Sequence, residues 1–150
     1  MIRYVTGDIF SVASVVHALV NPVNCKGVMG KGLALAFKSA YPSNYEAYRQ
    51  YCGDGKLIPG GLFCYFDEER RKWIVNFATK DDWRDLSKLD WVIGGLAALH
   101  LWMMDQNIQR IAIPALGAGL GGLLWGDVKR CIENEFANTK FDVLVFEPAT

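Results

Sequence analysis

Short apolar runs alternate with amphipathic stretches along the chain, and this alternation predicts an α/β fold. The apolar runs have the length of buried strands and cover residues 1–5, 15–20, 62–66, 72–77, 111–113 and 142–146. The third and fourth runs flank a charged turn at residues 67–71, which predicts a hairpin. Pro22 cannot donate to the ladder of a central strand, so we expect the second strand to end near Asn21.

Helical spacing of apolar residues occupies the segments between these runs. The predicted helices follow the first glycine loop (Leu33, Ala36, Phe37, Ala40), begin at Ser43, and cover residues 89–105 and about 127–137. Asp85 and Ser87 are N-cap candidates for the long third helix, whose predicted inward face is Ile93, Leu96, Ala97, Leu101 and Met104. A turn or short helix is expected over residues 12–16. This order predicts one three-layer α/β/α domain over residues 1–150, with a mixed central sheet and helices on both faces.

The composition and charge of the chain limit the classes of function that it can have. About half of the 150 residues are apolar (51%), enough for one sizeable core. Sixteen lysines and arginines balance 16 aspartates and glutamates, so no overall field attracts nucleic acid or membranes. The 4 cysteines form no C-x-x-C pair, which predicts reduced thiols in the cytoplasm and no metal site. No signal peptide or membrane-length apolar run occurs in the sequence, and His17, within an apolar run, is predicted to be a core residue.

The segment 21–38 predicts a strand, a glycine-punctuated loop and a helix. Gly27, Gly30 and Gly32 allow positive φ and a close approach of the backbone to a ligand, with Lys31 between the last two. The first helical amides have no partner inside the helix and carry the positive end of its dipole, which suits a phosphate. A strand-to-helix connection without a ligand would need the same glycines, so this loop alone leaves both interpretations open.

A second glycine-rich loop follows the strand at residues 111–113. Its glycines, Gly117, Gly119, Gly121 and Gly122, can form a concave nest of backbone amides, which is another anion site. The loop lacks the Gly-Lys-Ser/Thr of a phosphate-binding P-loop and lies too late in the chain for a dinucleotide fingerprint. Two such loops at the carboxyl ends of two strands predict a two-sided grip on a diphosphate.

Together these motifs resemble the macrodomain family of ADP-ribose-binding modules. The matching segments are residues 6–10, 21–24, the first glycine loop and residues 116–125. Within the family, the chain is most similar to the branch containing the macrodomain of the DarG antitoxin and the human terminal ADP-ribose glycohydrolase. That similarity rests on residues 24–34, 76–80, 83–84 and 123–125. The fold it implies is the three-layer α/β/α macrodomain.

The resemblance also implies roles for individual residues. Asp8 would accept the adenine amino group, the Ile9 amide would meet a ring nitrogen, and Asn24 would hold the distal ribose. Phe146 is expected over the adenine or in the core. Lys80 matches the lysine treated as catalytic in the DarG branch, with Asn24 beside it. The implied ligand-binding set is Asp8, Ile9, Asn24, Gly30, Lys31, Gly32, Thr79, Leu116, Gly117, Ala118, Gly119, Leu120, Gly121 and Phe146.

Two chemical roles for Lys80 stay open at the level of the sequence. It can act as a cation beside the departing base, or as a nucleophile through a Schiff base. The human relative completes its reaction with an aspartate where this chain has Gly121, which favours the DarG-like form. Leu120 departs from the polar residue usual in DarG-like loops.

Three functions compete. The resemblance favours a glycohydrolase that removes ADP-ribose from a modified macromolecule, above all thymidine-linked ADP-ribose on DNA. The alternatives are an ADP-ribose 1″-phosphate phosphatase, against which the apolar settings of His17 and His100 weigh, and a reader without turnover. The implied partners are ADP-ribose, ADP-ribosylated DNA and, functionally, a DarT-like toxin. No cofactor is expected, and the chain is expected to be a monomer.

Overall fold

A six-stranded sheet forms the centre of the molecule. The computed structural model describes residues 1–149. The strands run in the order β1-β6-β5-β2-β4-β3, and all neighbours are parallel except the antiparallel pair β3 and β4. Their bounds are β1 Ile2–Val5, β2 Ala18–Val23, β3 Leu62–Asp67, β4 Lys72–Ala78, β5 Arg110–Ile113 and β6 Asp142–Phe146. The mixed sheet predicted from the sequence is thus confirmed, including its hairpin.

Helices cover both faces of this sheet. They are α1 Gly32–Ala40, α2 Pro42–Gly53, α3 Leu89–Gln106, α4 Trp125–Phe136 and a 3-10 helix Ile9–Val15. Because side chains alternate along a strand, Ala18 and Val20 of β2 pack with α3 and α4, whereas Leu19 packs with α1 and the 3-10 helix. Val23 meets α2 on the latter face. The result is the predicted three-layer α/β/α domain.

The second strand differs from its prediction at both ends. It begins at Ala18 and continues through Pro22, which pairs with Phe77 of β4. Proline is tolerated because the ladder between β2 and β5 covers only Ala18 and Leu19, so the opposite edge of Pro22 needs no donor. His17 lies before the strand and is exposed, so its prediction as a core residue is wrong.

The buried face of the long helix α3 includes Leu96 as predicted but is otherwise rotated from the predicted face. Its buried residues are Val92, Gly95, Leu96, Leu99 and Met103, whereas Ile93, Leu101 and Met104 are exposed. Gly95 sets this rotation, since a Cβ there would lie 2.2 Å from the ring of Phe77. The N-cap is Lys88, without a side-chain bond, so the predicted caps Asp85 and Ser87 are also wrong. No helix within residues 1–149 is long and apolar enough to cross a membrane.

Candidate functional site

The carboxyl ends of the parallel strands open into a cleft of about 880 Å³, within the size range of small-molecule sites. The two glycine loops form opposite walls, and the segments after β1, β4 and β6 close its ends. Every residue of the predicted site lines this cleft except Leu116. Leu116 is fully buried in the core beneath α3 and α4, which corrects its assignment to the cleft wall.

The first glycine loop presents an uncapped helix to the cleft. Helix α1 begins at Gly32, and its N-cap residue Lys31 makes no side-chain capping bond. The first amides of α1 therefore have no partner within the helix, and they face the cleft that Gly32, Leu33 and Ala34 line. Positive φ occurs at Gly27 (82°) and Gly32 (56°) but not at Gly30, where the prediction is wrong. This helix end is suited to a phosphate.

The second glycine loop is fixed by hydrogen bonds to its carbonyl groups, whereas several of its backbone N–H groups are unpaired in the described part of the chain. Leu123 N donates to Gly117 O at 2.9 Å, and Ser87 N donates to Gly121 O at 2.9 Å. In the described part of the chain, no bond is donated by the backbone N–H groups of residues 119–121. Free consecutive amides beside a cleft form an anion-binding nest. The loop can thus hold the second side of a diphosphate.

Two glycines of this loop differ in the space around them. A Cβ at Gly119 would meet nothing within 4 Å, although its backbone lines the cleft. A Cβ at Gly121 would lie 2.3 Å from Ser87 Oγ and 2.5 Å from the carbonyl oxygen of Gly117. Position 121 therefore admits only glycine in this loop conformation. An aspartate there, as in the human relative, has no room.

Asn24 organises the first glycine loop from the wall of the cleft. Its Oδ1 accepts bonds from Lys26 N at 2.9 Å and from the Tyr48 hydroxyl at 3.0 Å, and its Nδ2 donates to Val28 O at 2.8 Å. Burial raises the pKa of Tyr48 far above its usual range, which keeps the hydroxyl protonated as a donor. Asn24 retains one amide hydrogen for a ligand because only one of its two is used.

Lys80 connects the two sides of the cleft at one end. Its Nζ donates to the carbonyl oxygen of Leu120 in the second glycine loop at 3.2 Å, while its carbonyl accepts from Cys25 Sγ at 3.4 Å. Leu120 in turn reaches toward the first loop, where a Cβ on Gly32 would lie 3.4 Å from Leu120 Cδ1. Cys25 stays a thiol because burial, with a further contribution from Asp81, raises its pKa to about 12. The half-exposed ammonium of Lys80 thus stands at the cleft mouth.

Acidic side chains lie elsewhere in the cleft. Asp8 Oδ1 accepts a bond from Phe10 N at 2.9 Å and so caps the 3-10 helix, which leaves Oδ2 available. Glu147 is fixed by Trp125 Nε1 at 3.3 Å and by Lys129 Nζ at 3.9 Å. Phe146 lines the cleft and is also buried in the core, and its position over the adenine stays a prediction.

Several residues that line the cleft were not among the site residues predicted from the sequence. Trp83 and Glu147 line the cleft, as do Pro22, Val28, Leu33, Pro114, Ala115 and Pro148. Trp83 stands in the segment that follows Lys80, so its position next to a site residue was a signal. The same signal applied to Leu33 and Glu147, which directly follow Gly32 and Phe146, whereas the positions of Val28, Pro114 and Ala115 depend on the fold.

The fold and the cleft define a class of protein: an α/β/α domain with two opposed glycine-rich loops at the carboxyl ends of its strands. The Macro domain family matches residues 20–132, and the chain belongs to this family. It is 42% identical over 99% of its length to a DNA ADP-ribosyl glycohydrolase of Thermus aquaticus and 40% identical to that of Mycobacterium tuberculosis. The chain spans about two fifths of the length of these curated relatives, 41% and 43%.

Solved structures agree with this assignment. The macrodomain of Thermus aquaticus DarG superposes with a TM-score of 0.91 at 41% identity, with 99% of each chain covered. Thermosipho africanus DarTG in complex with ADP-ribose gives a TM-score of 0.91 at 29% identity, over 98% of this chain and 41% of that one. The Thermosipho relative is a DNA ADP-ribosyl transferase-DNA ADP-ribosyl glycohydrolase fusion protein. An ADP-ribose 1″-phosphate phosphatase of Debaryomyces hansenii is 38% identical over 98% of the chain.

Proposed function

We propose that this macrodomain binds ADP-ribose and hydrolyses its bond to a modified macromolecule, with thymidine-linked ADP-ribose on DNA as the preferred substrate. The observation that carries the proposal is the position of Lys80, whose ammonium stands at the cleft mouth 3.2 Å from the carbonyl oxygen of Leu120. The similarity to DNA ADP-ribosyl glycohydrolases supports the choice of reaction.

The diphosphate is expected to lie between the two glycine loops. The amides at the start of α1 and those of residues 119–121 supply donors from opposite sides. The adenine would lie toward Asp8 and Phe146, and the distal ribose toward Asn24 and Lys80. This placement fixes the C1″ carbon, which is the positional part of catalysis.

In the reaction, the bond between C1″ and the base breaks, water supplies a hydroxyl to C1″, and the base leaves with the bonding electrons and then takes a proton. A cation beside the leaving base stabilises the negative charge that develops on it. Lys80 fits this role, and a Schiff base at the same nitrogen is the alternative. An aspartate-completed two-step route is disfavoured because position 121 has no room for a side chain.

The side chains of the cleft support a phosphatase function less well than a glycohydrolase function. Neither histidine lines it: His17 lies before β2, and His100 Nδ1 lies 2.8 Å from Glu135 Oε2 between α3 and α4. The acids that do line the cleft, Asp8 and Glu147, belong to the expected adenine end. A general base for attack on a 1″-phosphate is thus not provided by these side chains.

The test is a side-by-side incubation of the protein with thymidine-modified DNA, ADP-ribosylated protein and ADP-ribose 1″-phosphate, with released ADP-ribose or phosphate measured by chromatography. We expect release of ADP-ribose from the modified DNA to be fastest. Turnover of the 1″-phosphate alone would establish the phosphatase, and binding without any turnover would establish a reader. Opposition to a DNA ADP-ribosyl transferase, the monomeric state and the cytoplasmic location stay predictions.

A further inference from the structure

Trp83 is a half-exposed aromatic side chain that lines the cleft and has no role in the ADP-ribose contacts proposed above. It lines the cleft three residues after Lys80 and keeps 49% of its surface exposed. A tryptophan left this exposed withholds a large apolar face from the core. Its place beside the leaving-group end of the site suggests that a part of the substrate other than ADP-ribose covers it.

A hydrogen-bonded turn carries this tryptophan. Asp82 accepts from the Arg84 backbone N at 2.9 Å and from the guanidinium at 3.0 and 2.8 Å. These bonds hold the pKa of the Asp82 carboxyl well below its usual range. The same guanidinium lies 5.4 Å from the centroid of the Trp83 ring, close enough for a cation–π contact. The turn thus places a cation beside the flat ring of Trp83.

The surroundings of Trp83 are apolar, and the charges of its own segment balance, since Asp81, Asp82 and Asp85 match Lys80, Arg84 and Lys88. Leu86 and Leu120 are 69% and 66% exposed. Leu86 and Leu120 belong to this mouth, since Leu86 packs on Gly122 and Leu120 lines the cleft. The lysines that line the cleft are Lys31 and Lys80. Flat apolar faces next to a polyanionic backbone are the chemistry of a nucleic-acid strand.

We propose that Trp83, backed by Arg84, is a stacking platform for a base that neighbours the modified nucleotide in single-stranded DNA. This inference rests on the proposed glycohydrolase function and assigns a substrate contact to Trp83. In a duplex, neighbouring bases already stack on each other, whereas an unpaired strand offers a free π face. An ADP-ribosylated peptide has no obligatory aromatic face at this position and gains nothing from the platform.

The test compares kcat/KM on three substrates that share the same modified thymidine: a mononucleoside, a single-stranded oligonucleotide and the matching duplex. For the unaltered protein we expect the single strand to be preferred over the mononucleoside. Trp83→Ala should reduce the ratio of the two kcat/KM values by roughly 5- to 150-fold, the loss of one base–aromatic stack. Trp83→Phe, which keeps a ring, should restore most of that ratio.

Trp91→Ala is the matched control, because Trp91 has Lys88 Nζ 5.1 Å from its ring centroid but does not line the cleft. It should leave the ratio unchanged. The platform is overturned if Trp83→Ala leaves the ratio intact, or if it lowers ADP-ribose affinity as much as cleavage. It is also overturned if modified peptide shows the same dependence on Trp83. An unaltered protein that cleaves the mononucleoside and the single strand equally well disproves the platform alone, whereas one that cleaves neither disproves the glycohydrolase.

Discussion

At the residue scale, two glycines of the second loop are required for different reasons. Gly121 is needed for space, because Ser87 and the Gly117 carbonyl fill the volume that a Cβ would take. Gly119 has open space around it, so it is needed only where a ligand comes close. Loss of binding and loss of folding can therefore be separated by the choice of position.

Gly119→Glu is expected to abolish ADP-ribose binding while the protein stays folded. The side chain has room, but its bulk and negative charge face the diphosphate from inside the cleft. Calorimetry with ADP-ribose measures the loss, and circular dichroism checks the fold. Gly94→Glu makes the same change at an open position on α3 outside the cleft and should bind normally. Native affinity in Gly119→Glu would show that this loop does not hold the phosphates.

Asp8 serves both the 3-10 helix and the ligand, and Asp8→Asn separates the two uses. Asparagine still accepts the bond from Phe10 N and caps as well as aspartate, so unfolding should change little. It replaces the free oxygen by an amide donor, which cannot accept the adenine amino group. We expect ADP-ribose affinity to fall by ~1–3 kcal/mol. Unchanged affinity by calorimetry would remove Asp8 from the adenine site.

At the scale of elements, one glycine distinguishes the buried face of α3 from the other faces that its hydrophobic periodicity allows. Nearly every position of this helix is apolar, so several faces were compatible with the sequence. The buried face is the one that brings Gly95 against Phe77 of β4. Close approach of helix and sheet then requires the absence of a side chain at that point.

A matched pair of substitutions tests this role of Gly95. Gly95→Ala should lower the free energy of unfolding by ~1–3 kcal/mol or more, because the added methyl overlaps the Phe77 ring. Gly94→Ala, one residue earlier in open space, should raise it by ~0.5–1 kcal/mol through helix propensity. Urea denaturation measures both. Equal effects of the two changes would mean that α3 does not pack through Gly95.

The elements also show what the sequence could and could not predict. The strands, the helices and both glycine loops were predictable because hydrophobic period and glycine placement are local signals. The end of β2 was not, since Pro22 is tolerated only where the neighbouring ladder has already stopped. His17 and Leu116 were misplaced for a similar reason: burial depends on what packs from distant parts of the chain. Trp83 was noticed in its motif, but only the fold brings it to the cleft mouth.

At the scale of the whole molecule, the cysteines couple stability to pH. Burial raises the pKa of Cys64 to about 12, and burial with Asp81 does the same for Cys25. Both thiols ionise near pH 9.0 when unfolded, so the folded state binds these protons more tightly. Their contribution to stability is fully present below pH 9.0 and is lost as pH rises toward about 12.

We therefore expect the free energy of unfolding to fall as pH rises above 9.0. Each proton retained only by the folded state adds a slope of up to about 1.4 kcal/mol per pH unit. Cys64→Ala should lower stability at all pH values through lost packing and also make the alkaline slope shallower. Denaturation at several pH values between 8 and 11 gives each free energy of unfolding to within ~10–15%, and the slopes follow from the series. Identical slopes in the two proteins would contradict the buried, protonated thiol.

At this scale, the proposed mechanism requires Lys80 to act on the transition state and not on folding or ground-state binding. Its ammonium touches only the Leu120 carbonyl in the described structure, and the diphosphate has its own donors in the two loops. Truncation of such a group lowers the rate with little effect on affinity. Lys80→Arg keeps the charge but cannot form a Schiff base at neutral pH, so partial activity there would favour the electrostatic role.

The most direct measurement is the rate of ADP-ribose release from thymidine-modified single-stranded DNA by Lys80→Ala and by the unaltered protein, with ADP-ribose affinity measured on the same samples. We expect Lys80→Ala to release ADP-ribose at least roughly a hundredfold more slowly, with an affinity for ADP-ribose within a few-fold of that of the unaltered protein. Release as fast as that of the unaltered protein would contradict it, and the catalytic assignment of Lys80 would have to be withdrawn.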